Sequence, residues 1–145
     1  MKLPEYVTKE EVKRVCRVMK LRDWTKITKP AVTRKEAQAI LKQVNVMKMP
    51  VPVEEFRRGL EIELEHGTMF KDANVTNNHP LLTGKIVLAH LKEMMDYYER
   101  LEVAELEGDL LKATVSGNVA KVRKYLKRLA DARIELAEAE AKTLK

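Results

Sequence analysis

Apolar residues recur at helical spacing along most of the chain, and almost nowhere at the alternation a strand requires. Val12, Val15, Cys16 and Met19 fall at i, i+3, i+4 and i+7 behind Thr8-Lys9-Glu10-Glu11. That tetrad reads as a capping box, in which the Thr hydroxyl accepts from the N3 amide and Glu11 reaches back. A short amphipathic helix ending near Leu21 follows from it. After a loop from Asp23 to Val32, Thr33-Arg34-Lys35-Glu36 repeats the box. Ala37, Ile40, Leu41 and Val44 repeat the stripe, and Asn45 is a natural stop. Pro50 and Pro52 mark a crossing before a third helix from near Val53, whose stripe is Phe56, Leu60 and Leu64. Glu54 and Glu55 sit in its first turn, where the helix dipole favours acids. His66 falls in its last turn and Gly67 at C′.

A loop of about 15 residues comes next, longer than most connections between packed elements. From Thr83, placed as an N-cap, the pattern stays helical to about Ala113. Ile86, His90, Met94, Tyr97 and Leu101 share one stripe, with Val87, Leu91, Met95 and Tyr98 beside it. A stripe this wide suits a central helix. Ser116-Gly117-Asn118 breaks the pattern, and a last helix runs from about Val119 to Lys142. Its seam is read as Val122, Leu126, Leu129 and Leu136, with Arg133 intruding. The last two helices should form an antiparallel hairpin.

The expected architecture is therefore all-α. It is a single-domain bundle of about five helices, with a long ordered loop between the third and fourth and a C-terminal helical hairpin. The chain has 145 residues, enough for one modest core, and only five Gly and five Pro interrupt it. The lone cysteine, Cys16, allows no intramolecular disulfide and reads as a small buried hydrophobe. No apolar run approaches the roughly 18 residues of a membrane span. The expected setting is cytoplasmic, or a virion, with no membrane partner.

Charge divides the chain into three blocks. Residues 1–52, a basic N-terminal arm, carry 13 Lys/Arg against 5 Asp/Glu. Residues 53–111, the acidic helix-loop-helix core, carry 6 against 13. Residues 112–145, a basic C-terminal helix, carry 9 against 4. Basic flanks around an acidic centre would pair within one molecule, between copies of an assembly, or with a polyanion.

Three candidate chemistries follow. All three histidines lie between Glu61 and Leu101. Glu61 and Glu65 share a helical face, as do His90 and Glu93, and His66 lies nearby. Carboxylates and imidazoles on facing helices hold iron, manganese or zinc in bundle proteins. The order here is His-x-x-Glu rather than Glu-x-x-His, so no cofactor is the primary expectation and a metal the alternative. Lys13, Arg14, Arg17, Lys20 and Arg22, with Trp24 as a stacking aromatic, form a candidate non-specific nucleic-acid surface. Nucleophilic catalysis has no support, because Gly-x-Ser-x-Gly and the phosphate-cradling Gly-x-x-x-x-Gly-Lys-Ser/Thr are both absent.

The words Gly59-Leu60-Glu61-Ile62-Glu63-Leu64-Glu65-His66-Gly67, Asn74-Val75-Thr76, Thr83-Gly84-Lys85-Ile86, Ala89-His90-Leu91-Lys92-Glu93 and Asp96-Tyr97-Tyr98 resemble a family of small proteins of unknown function. Its members occur in bacteria, phages and large DNA viruses. The resemblance spans roughly residues 54–105 and leaves the N-terminal helices and the last helix outside. It implies that Asn74, Thr76, His79 and Thr83 organise one loop by hydrogen bonds, without catalysis. It also associates the chain with a virion or genome. The expectation is a non-catalytic structural or interaction protein that assembles through its basic arms, as a homo-oligomer or within a larger complex.

Overall fold

A computed structural model describes residues 6–144. Among them are six α-helices and no strand: α1 (Lys9–Val18), α2 (Arg34–Val44), α3 (Val53–Met69), α4 (Pro80–Glu93), α5 (Tyr97–Val115) and α6 (Val119–Thr143). A 3₁₀ turn, Trp24–Lys26, follows α1. The chain divides into two compact units, one ending at Lys92 and one beginning at Glu93.

In the first unit the caps set the helix starts. Thr8 Oγ accepts from the Glu11 amide at 3.2 Å, although the Glu11 carboxylate turns to Arg14 instead of closing the box. Thr33 and Glu36 close theirs in full. α2 packs on α3, and α1 on the 3₁₀ turn. Val12, Trp24, Ile40, Phe56, Leu60 and Val87 are fully buried. α4 crosses α2 and α3 closely at Gly84, where an added Cβ would lie 2.6 Å from Ile40 Cγ2 and 3.2 Å from Phe56 Cζ. Only a residue without a side chain lets these backbones approach so far.

Three boundaries differ from the sequence reading. α3 runs through Gly67 to Met69, because Gly67 makes room for Asn78 inside the helix instead of ending it. α4 starts at Pro80, three residues before Thr83. Proline suits the first helical position, and His79 Nδ1 accepts from the amides of Leu81 (3.2 Å) and Leu82 (3.4 Å) as the cap. The loop thus shortens to residues 70–79. The long fourth helix is two, so the count is six rather than five. Met94 to Asp96 interrupt it, with Asp96 taking the N-cap position of α5 and giving its carboxylate to Arg100. Aspartate disfavours helix interiors because its carboxylate competes for local donors.

The second unit is the hairpin α5–α6, turned at Gly117 with φ +66°. Its buried centre is Leu106, Leu129 and Ala132, with Val103, Leu110 and Tyr125 packed against it. The seam of α6 is therefore Val122, Tyr125, Leu129, Ala132 and Leu136, and Leu126 points outward at 52% exposure. Arg133 does not intrude; it donates to Glu107 at 2.8 Å from an exposed flank. The 3-4-3-4 spacing of the true seam is the one that keeps an antiparallel partner in view.

Candidate functional site

The loop between α3 and α4 is built by short polar side chains. Asn74 Nδ2 donates to the Gly67 carbonyl (3.0 Å) and to Asn78 Oδ1 (2.8 Å). Thr76 Oγ donates to Asn74 Oδ1 and accepts from the Asn78 amide, both at 3.3 Å. The His79 amide donates to the Thr76 carbonyl at 3.0 Å, and Thr83 Oγ donates to the His79 carbonyl at 3.0 Å. Asn77 Nδ2 donates to the Val7 carbonyl at 2.6 Å, which fastens the loop to the entry of α1. Asn77 and Asn78 both take left-handed backbone angles, φ +48° and +60°, which asparagine tolerates better than most residues. Asn74, Thr76, His79 and Thr83 thus lie in one network. Burial pushes the His79 imidazole below its ordinary pKa, against the attraction of Glu11 and with the repulsion of Arg14.

Beside this loop lies a cavity of about 350 Å³. Its walls are Lys9 at the start of α1, Thr25 to Thr28, the end of α3 and the asparagines of the loop.

A second polar cluster centres on Glu36, which is 5% exposed. Arg22 donates to both carboxylate oxygens, Trp24 Nε1 donates at 3.2 Å, and Thr33 donates through its amide and hydroxyl, both at 2.9 Å. Burial alone would raise the Glu36 pKa, but Arg22, Thr33 and Trp24 together hold it down at about 2. The stacking aromatic expected at Trp24 is therefore a fully buried core residue, and Arg22 belongs to the same cluster. Arg14 is paired with Glu11 at 2.6 Å. Of the expected nucleic-acid set, Lys13, Arg14, Arg17, Lys20 and Arg22 are all exposed and Trp24 is buried, with Arg14 and Arg22 held in ion pairs.

The expected metal ligands are not brought together. Glu61 is held by Arg57 Nη1 (2.7 Å) and the Val32 amide (2.9 Å). Glu65 and His66 are exposed, with the His66 ring stacked near Phe70. His90 Nε2 meets Glu63 Oε1 at 3.4 Å, and Glu93 lies exposed at the end of α4. Among the described residues no group of three or more His, Cys, Asp or Glu converges as a metal site would require. Glu63 escaped the sequence reading because it pairs across helices. Its position three residues after Leu60, beside the buried stripe of α3, was the available signal.

The profile of the family described as "Protein of unknown function (DUF5661)" matches residues 12–107. The chain belongs to this family. The match begins within α1 and takes in the 3₁₀ turn and α2, which corrects the expectation that the N-terminal helices lie outside the shared region. It ends within α5, so α6 falls beyond it. No curated protein and no solved structure matches the chain. Among the described residues no helix is long and apolar enough to cross a membrane.

Proposed function

We propose that the protein is a non-catalytic interaction protein that self-associates through α6. One observation carries this reading: α6 has a second apolar row that its pairing with α5 does not use. Val119, Leu126, Ala130, Ile134, Ala137 and Ala141 lie within one quarter of the helix circumference and are all exposed, with Arg123 the one charged residue in the same arc. Val119, Leu126 and Ile134 are 63%, 52% and 60% exposed.

Charge selects a second copy as the occupant. Residues 119–130 carry five Lys/Arg and no acid, whereas residues 131–143 carry four Asp/Glu against two Lys/Arg. Laid antiparallel on itself, α6 sets its basic half against its acidic half twice over, the self-complementarity of a two-fold interface. Leu126 of one copy then meets Ile134 of the other, and Ala130 lies at the axis. A parallel arrangement would set like charges together.

Light scattering at rising protein concentration should show a dimer that weakens with salt, and Leu126→Glu should be a folded monomer. Ala130→Cys should cross-link to itself on mild oxidation, since the natural Cys16 is buried at 2% exposure. A strict monomer at all concentrations, or a dimer in which Ala130→Cys never cross-links, would refute the proposal.

A further inference from the structure

The cavity beside the asparagine loop is lined mainly by lysines, threonines and asparagines. Lys9, Lys26 and Lys71 line it with Thr25, Thr28, Thr68, Asn74, Asn77 and Asn78, beside Ile27 and Gly67, and among the described residues no carboxylate does. Its volume of about 350 Å³ is in the range of small-ligand sites, and its lining is more polar than such sites usually have. A cation would meet the lysine ammonium groups there.

The wall is also ordered from behind. Asn74 Nδ2 donates to Asn78 Oδ1, which fixes the Asn78 amide as an acceptor on that side and leaves its Nδ2 hydrogens as donors. Gly67 permits this packing, because a Cβ there would collide with Asn78 Oδ1. Glu10 and Asp72, next in sequence to Lys9 and Lys71, are exposed and do not line the cavity, and Asp23 is engaged by the Thr25 amide (3.1 Å) and hydroxyl (2.6 Å), with Lys26 reaching it at 3.8 Å. Lys9 and Lys71 make no ion pair among the described residues and are exposed to whatever enters. Compact ammonium charges and amide donors around a small polar cavity suit the oxygens of a phosphate group.

We propose that this cavity is a binding site for a small phosphate-bearing anion. The site is independent of α6 and of self-association. Lys9 and Lys71, with Lys26 shared with Asp23, match an anion of two or more negative charges better than a singly charged carboxylate, and pyrophosphate is the simplest probe of that class.

The test is titration of the full chain with inorganic pyrophosphate at low salt, followed by amide chemical shifts. Saturable shifts confined to Thr25–Thr28, Gly67–Lys71 and Asn74–Asn78 are expected, and the affinity should fall as salt rises. Lys71→Gln removes one charge from an exposed position and should weaken binding about tenfold, the effect of losing one charge-assisted contact. Asn78→Asp keeps the acceptor for Asn74, tolerates the left-handed backbone, and should abolish binding by setting a carboxylate against the ligand. The proposal is overturned if pyrophosphate causes no saturable shift. It is equally overturned if the shifts track Lys13, Arg17 and Lys20, or if Lys71→Gln binds as the parent does.

Discussion

Arg22 grips Glu36 with two parallel hydrogen bonds, Nε to Oε1 at 2.9 Å and Nη2 to Oε2 at 2.8 Å. The pair joins the segment after α1 to the first turn of α2, and Arg22 Nη2 also donates to the Ala31 carbonyl at 2.6 Å. Because Glu36 titrates near 2 in the fold and near 4.5 when unfolded, its stabilisation is complete above about pH 4.5. It is lost as pH falls from there toward 2, since the unfolded chain takes up the proton first. The loss amounts to roughly 2–3 kcal/mol for this buried group. Urea unfolding measured from pH 7 to pH 2 should show that decline, and Glu36→Gln should be less stable at pH 7 and flatter across the acid range. An unchanged acid slope in the variant would place the titration elsewhere.

His79 acts at higher pH. Its Nδ1 caps α4 by accepting two amides, which requires the neutral ring, and burial favours that same form. A folded pKa below the ordinary 6.5 means that stability is complete above about pH 6.5 and falls as pH drops below it, because the unfolded chain protonates first. His79→Asn keeps a capping acceptor that does not titrate in this range. Thermal melting of the variant should therefore lose the step just below pH 6.5 that the parent shows.

Gly84 tests the closeness of α4 to α2. Gly84→Ala places a methyl 2.6 Å from Ile40 Cγ2 and 3.2 Å from Phe56 Cζ, both on buried residues. Helix propensity favours alanine by about 1 kcal/mol, but overpacking a filled core costs about 1–3 kcal/mol. The net should be destabilising, seen as a lower melting temperature. Gly108→Ala is the control. Nothing lies within 4 Å of its added Cβ, so propensity alone operates and the variant should melt higher.

What was legible in the sequence was local. Thr8 and Thr33 announced their helices because a cap and its first turn are neighbours in the chain, and Val53, Gly117 and Asn118 marked boundaries for the same reason. Relations between elements were not legible. Gly67 reads as a helix stop until Asn78, eleven positions on, is seen to need its space. Trp24 among lysines reads as a stacking ring until Glu36 is found accepting its indole N–H. Glu61 and Glu65 stood out by spacing, yet the carboxylate that meets His90 is Glu63, which only the packing of α3 on α4 selects. The cavity of Lys9, Lys26 and Lys71 draws on segments about 60 residues apart, with no shared pattern to find it by.

The two faces of α6 should separate under mutation. Leu129 is 5% exposed in the small centre of the hairpin, with Leu106 and Ala132 as its buried partners. Leu129→Ala should cost about 2–4 kcal/mol, the usual range for a buried leucine, and lower helicity in the second unit. Leu126 lies only three positions earlier but is 52% exposed. Leu126→Ala should leave monomer stability within about 0.5 kcal/mol, as exposed substitutions do, while weakening the dimer measured by sedimentation. The two variants differ by three positions on one helix, so propensity and charge cannot distinguish them. Equal effects on stability would mean that both leucines belong to one core, and the second row would then have no partner to seek.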